Sequence, residues 1–126
     1  MNGYITNIEN ETLSNQNFRK VLYTGSKMQL VVMTLQPSEE IGMEVHAGTD
    51  QFFRIETGVA RIIIDGEENI AGPDDVVVVP AGAKHNVING SADAPLRLYT
   101  IYSPPEHPRE TVHRTKEEAE KAEHHH

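Results

Sequence analysis

The sequence predicts an all-β barrel, and three observations carry that expectation. Short runs rich in β-branched and apolar residues recur along the chain, turn residues separate them at sandwich-like or barrel-like intervals, and only the tail shows a helical capping pattern. At 126 residues the chain fits one domain, with room for a core that needs no disulfide.

Taken in order, residues 18–23 and 28–36 read as strands joined by the turn Thr24-Gly25-Ser26. Pro37 and the polar residues to Glu40 break the second of them. Strands at 51–56 and 59–64 flank Thr57-Gly58, and Asp65-Gly66 supplies a further tight turn. Asp74-Asp75 precedes the apolar run 76–79, which Pro80 ends, and Ala81-Gly82-Ala83 loops into a strand at 84–89. A last strand at 96–102 stops at Ser103-Pro104-Pro105. The polar segment 103–113 is expected to wrap the barrel exterior or cover one rim. Beyond it, Thr115 with Glu118 three residues on has capping-box spacing for a short helix over 117–123, the only helix expected. The domain runs from 1 to 123, with its core at about 18–103, and His124-His125-His126 reads as a tag remnant.

Composition removes several function classes. There is no cysteine, which excludes disulfides, thiolate metal sites and thiol nucleophiles. Nineteen acidic residues against eleven basic give a formal charge of −8, the wrong sign for a nucleic-acid partner. No apolar run has membrane-span length and no signal-peptide pattern opens the chain, so no membrane partner and a cytoplasmic address are expected. No P-loop, GxGxxG or Ser-His-Asp order is present.

Two stretches hold the polar residues of interest. In an extended chain, Glu44 and His46 share one face, as do Gln51, Phe53 and Ile55 on the next strand. His85, Val87 and Asn89 share a face in the second stretch. If these faces look inward, a histidine from each stretch meets in the barrel interior.

At these residues the chain resembles the cupin family. Its second motif reads Asp74, five residues, Pro80, one, Gly82, two, His85, three, Asn89, with Asp74 standing where the family usually has glycine. In the first motif, counted back from Gly58, Gln51 takes the glutamate position, His46 the second-histidine position and Glu44 the first-histidine position. Ser38 replaces the opening glycine. The resemblance spans about residues 28–102 and implies a cupin (double-stranded β-helix, jelly-roll) barrel. It implies a divalent first-row metal (Fe, Mn, Ni, Zn or Cu) held by His46 and His85, which match in type, and by Glu44 and Gln51, which match in position only. All four are chemically suited: imidazoles bind such ions well, a carboxylate neutralises charge, and an amide oxygen is a weak hard ligand. Glu44 has a second expected role as general base.

The function expected from this set is a metalloenzyme of dioxygenase, isomerase or lyase type, acting on an oxygen-rich small molecule such as a sugar derivative or organic acid. The alternative is a non-catalytic sugar-binding module. The other polar residues read as structural. Arg54 and Glu56 form an exterior pair, and only one of Tyr99 and Thr100, and one of Phe52 and Phe53, faces inward. His107 and His113 read as a solvated loop, a lid adding a base above the metal being the alternative. A homodimer is expected, with the 18–23 strand adding to a neighbour's sheet.

Overall fold

The computed structural model describes residues 3–124, so His125 and His126 of the expected tag remnant lie outside the described residues. Two antiparallel sheets face each other as a jelly-roll barrel. The first strands are β1 (Arg19–Thr24), β2 (Gln29–Leu35) and the two-residue β3 (Glu44–Val45). β4 (Asp50–Thr57), β5 (Ala60–Ile64), β6 (Glu67–Ala71) and β7 (Val76–Val79) follow, then β8 (Lys84–Asn89), β9 (Leu96–Ser103) and β10 (Val112–His113). One sheet has the order β10-β1-β2-β9-β4-β7, the other β3-β8-β5-β6.

The runs that read as strands are strands, and the period-two pattern of a half-buried sheet is clearest in β4 and β9. Along β9, Leu96, Leu98, Thr100 and Tyr102 are buried while the residues between them are only partly so. Phe53 and Thr100 face the interior. Their neighbours Phe52 and Tyr99 pack against each other outside, ring centroids 6.2 Å apart. Arg54 and Glu56 pair at 3.6 Å, with Asp74 as a second partner for Arg54, but the Glu56 side chain is covered and its Oε2 has no hydrogen-bond partner, so the pair is not the exposed one expected.

Two features correct the reading of the sequence. A second helix, α1 (Ile8–Ser14), precedes β1, capped by the Asn7 side chain accepting from the Asn10 N–H at 2.9 Å. The expected tail helix is α2 (Lys116–His124), with the Glu118 N–H on Thr115 Oγ1 at 3.1 Å. The second correction concerns β1, whose first half is not an open edge. Arg19 and Lys20 pair with His113 and Val112 of β10, and the Val21 N–H donates to the Thr111 carbonyl at 2.9 Å. The chain's own later segment takes the place reserved for a neighbour.

That segment also covers the barrel mouth. The buried Gln29 side chain accepts from the Glu106 and His107 N–H groups at 3.2 and 3.0 Å, and donates to the His107 carbonyl at 2.7 Å. Residues 105–108 are thereby strapped across the rim while Val112 and His113 continue the sheet. Among the described residues, no helix is long and apolar enough to cross a membrane.

Candidate metal centre

Strand register brings the expected residues together. Glu44 on β3 lies directly opposite His85 on β8, so both side chains leave the same face. His46 follows two residues after Glu44, and its carbonyl accepts the N–H of Gly82 at 2.8 Å, tying the two motif loops to each other. Gln51 on β4 enters from the opposite sheet, between Tyr102 on β9 and Val79 on β7.

The ligand atoms of Glu44, His46 and His85 all lie within 4.8 Å of one another, a group that could hold a metal ion. Glu44 Oε1 is 3.5 Å from His46 Nε2 and 4.0 Å from His85 Nε2, and Gln51 Oε1 is 3.2 Å from His85 Nε2. Ligands about 2.1 Å from a shared first-row ion sit roughly 3–3.5 Å apart, which these separations approach.

Hydrogen bonding settles which atoms face inward. In the Nδ1–H tautomer His46 donates to Glu106 Oε1 at 2.9 Å and His85 to the Ala83 carbonyl at 3.3 Å, which turns both Nε2 atoms toward Glu44 and Gln51. The Gln51 amide nitrogen donates to Thr100 Oγ1 at 3.0 Å, turning its oxygen toward His85. Two imidazole nitrogens, a carboxylate oxygen and an amide oxygen therefore converge. His46 Nε2 is buried without a hydrogen-bond partner, as an atom awaiting a cation would be. The donor set fits a divalent ion.

Proximity to Glu44 pulls the His46 imidazole above the usual histidine range, against the opposing effect of burial. For Glu44, burial is the largest influence and pushes up, but His46, Arg19 and His85 together outweigh it, so its carboxyl falls below the usual value.

Several participants carried no signal in motif spacing. Glu106, from the rim segment, orients His46 as an outer carboxylate commonly orients a metal-bound imidazole. Tyr102 is buried beside the histidines, its phenol pushed up by burial and so kept neutral. His107 and His113 are not a solvated loop. His107 Nε2 meets the Tyr102 hydroxyl at 3.3 Å, and burial pushes its pKa down to about 3. His113 Nδ1 faces the Arg19 guanidinium at 3.3 Å. Asn89, by contrast, is a staple: its amide donates to the carbonyls of Leu35, Gln36 and Ala94.

Comparison with known proteins agrees with this fold. Residues 31–102 match the Cupin domain family. An uncharacterized Bacillus subtilis protein, YrkC, is 42% identical over 127 residues, covering 95% of this chain and 67% of its own length. An uncharacterized protein of Acanthamoeba polyphaga mimivirus, L612, is 42% identical over 109 residues, with 83% and 68% covered. The chain thus spans about two thirds of these relatives. The crystal structure of BH2720 from Bacillus halodurans superposes with a TM-score of 0.92 at 39% identity, covering 95% of each chain.

Proposed function

The chain belongs to the cupin family, and on that footing we propose that it binds a divalent first-row metal and acts as an enzyme on an oxygen-rich small molecule, a sugar derivative or an organic acid. The observation that carries the reading is the convergence of His46 Nε2, His85 Nε2, Glu44 Oε1 and Gln51 Oε1, with His46 Nε2 buried and without a hydrogen-bond partner. These four residues would hold the ion, which would supply Lewis acidity or redox chemistry toward a coordinated oxygen. Glu106 fixes the His46 tautomer, Ala83 fixes that of His85, and Thr100 holds the Gln51 amide. Tyr102 stays neutral and available as a hydrogen-bond donor. The rim segment limits water at the site.

Elemental analysis of protein purified without a histidine tag tests the metal. About one equivalent of a first-row ion per chain is expected for such a four-residue site. Failure to take up manganese, iron, nickel, copper or zinc in calorimetry would sink the reading. Turnover of hydroxy acids and sugars in air and under argon then separates dioxygenase from isomerase or lyase chemistry.

A homodimer belongs to the same proposal, but through a different edge from residues 18–23. β7 ends its sheet with Val76 and Val78 exposed at 50% and 61%, and Ile70 of β6 is exposed at 63%. Sedimentation showing only monomer at micromolar concentration would remove it.

A further inference from the structure

We infer that Arg19 anchors the carboxylate of a small organic acid inside the barrel, with a second oxygen of that ligand directed to the metal. The inference deepens the metal-enzyme reading and takes its second contact from it. Arg19 occupies an inward position of β1, between the exposed Lys20 and the apolar core, and is only 1% exposed. Its strand neighbour in register is Met33, and Met33 pairs in turn with Leu98. A guanidinium in such an apolar row is costly unless an anion accompanies it.

No carboxylate forms an ion pair with Arg19 among the described residues. Its Nη1 meets His113 Nδ1 at 3.3 Å, and its Cζ lies 5.3 Å from the centre of the Phe18 ring. Its Nε–H is buried with no partner at all. An aliphatic side chain would fill the space with less desolvation, so packing does not account for the arginine. A planar carboxylate is the group whose geometry matches the open donors of the fork.

The side chain is directed at the rim. Arg19 Nη1 meets His113, at the end of the same segment that lays Glu106 on His46 and His107 on Tyr102. A ligand with a carboxylate and a nearby hydroxyl or carbonyl satisfies both ends, whereas an uncharged sugar leaves the arginine unpaired.

The test uses manganese-loaded wild type and Arg19→Met, titrated calorimetrically with glycolate and 3-hydroxypropanoate, each against its neutral amide. The metal itself prefers carboxylates, so the quantity read is the change between the two proteins. Arg19→Met should weaken at least one acid by about tenfold or more, as loss of charge-assisted hydrogen bonds predicts, and its amide by less than about twofold. Equal losses for acids and amides, or none, overturn the inference. Should Arg19→Met fail to fold, the Arg19 Nε–H resonance of metal-free wild type is followed instead. The acids should shift it and the amides should not, and an unmoved signal overturns the anchor. A wild type that takes no metal but shows this shift ends the metal reading and leaves the anchor standing.

Discussion

Glu106 is the residue on which the proposed site depends without its serving as a ligand. It accepts a hydrogen bond from the His46 Nδ1–H and so turns the other ring nitrogen, which has no hydrogen-bond partner, into the site. Glu106→Ala is expected to lower zinc affinity by about 10–100-fold in calorimetry, the usual cost of losing such a partner. Glu106→Gln, which still accepts the proton, should cost less. Among the ligands proposed, His85→Ala should abolish tight binding and Gln51→Ala should cost least, because water can replace an amide oxygen. Glu44→Gln removes the only formal charge among the four, so metal occupancy should fall. If occupancy persists while turnover drops, Glu44 is a base and not a ligand. His46, His85, Glu44 and Gln51 were legible because motif spacing fixes them on strands whose alternation is simple. Glu106 and Arg19 were not. A glutamate in a Pro-bearing loop has no periodicity to follow, and an arginine beside a lysine on an outer strand reads as solvent-facing until the strand's register is known.

The loops between strands show how the two motifs tolerate their missing glycines. Ser38 and Asp74 both take positive φ, 66° and 72°, so the left-handed turns persist without the residue that favours them. Ser38 is exposed, and its backbone N–H bond to the Ser91 carbonyl needs no side chain. Ser38→Gly should therefore raise stability by about 0.5–1 kcal/mol in a thermal melt, relief of local strain outweighing the added freedom of the unfolded chain. Gly58 is the opposite case. Its φ is 96°, and a Cβ there would come within 2.7 Å of the Pro95 carbonyl oxygen and 2.9 Å of the Leu96 Cα. Gly58→Ala should cost roughly 2–4 kcal/mol in the same measurement. The strands were readable because each has its own alternation and its own turn. α1 was missed because Thr12 and the partly covered Ile8 and Glu11 give it no apolar stripe, leaving the Asn7 cap as its main sign. β10 was missed because two residues carry no period.

At the scale of the whole molecule, the buried histidine of the rim ties stability to acidity. His107 has a folded pKa of about 3, against an ordinary value near 6.5 in the unfolded chain. Above that ordinary value both states are neutral and His107 contributes nothing. As pH falls from 6.5 toward 3, the unfolded chain gains a proton that the folded one refuses, so stability is progressively lost. His46 in the metal-free protein acts in the other direction, its raised pKa favouring the folded state in acid. Denaturant titrations of chelator-treated protein should thus show His107→Gln gaining on wild type as pH is lowered through this window. A constant difference between the two would refute the assignment.

The rim strap also has a meaning in time. Glu44, His46, Gln51 and His85 are all synthesised before residues 103–113, and so is Gln29, the side chain that receives the strap. A nascent chain can close both sheets around the four ligating groups while the mouth is still uncovered. An ion entering then would meet an open vestibule, and the late-arriving segment would lay Glu106 onto His46 behind it. On the proposed function, loading during biosynthesis and exchange in the mature protein would be different events: the first would pass through an unfinished doorway, and the second would have to lift a latch.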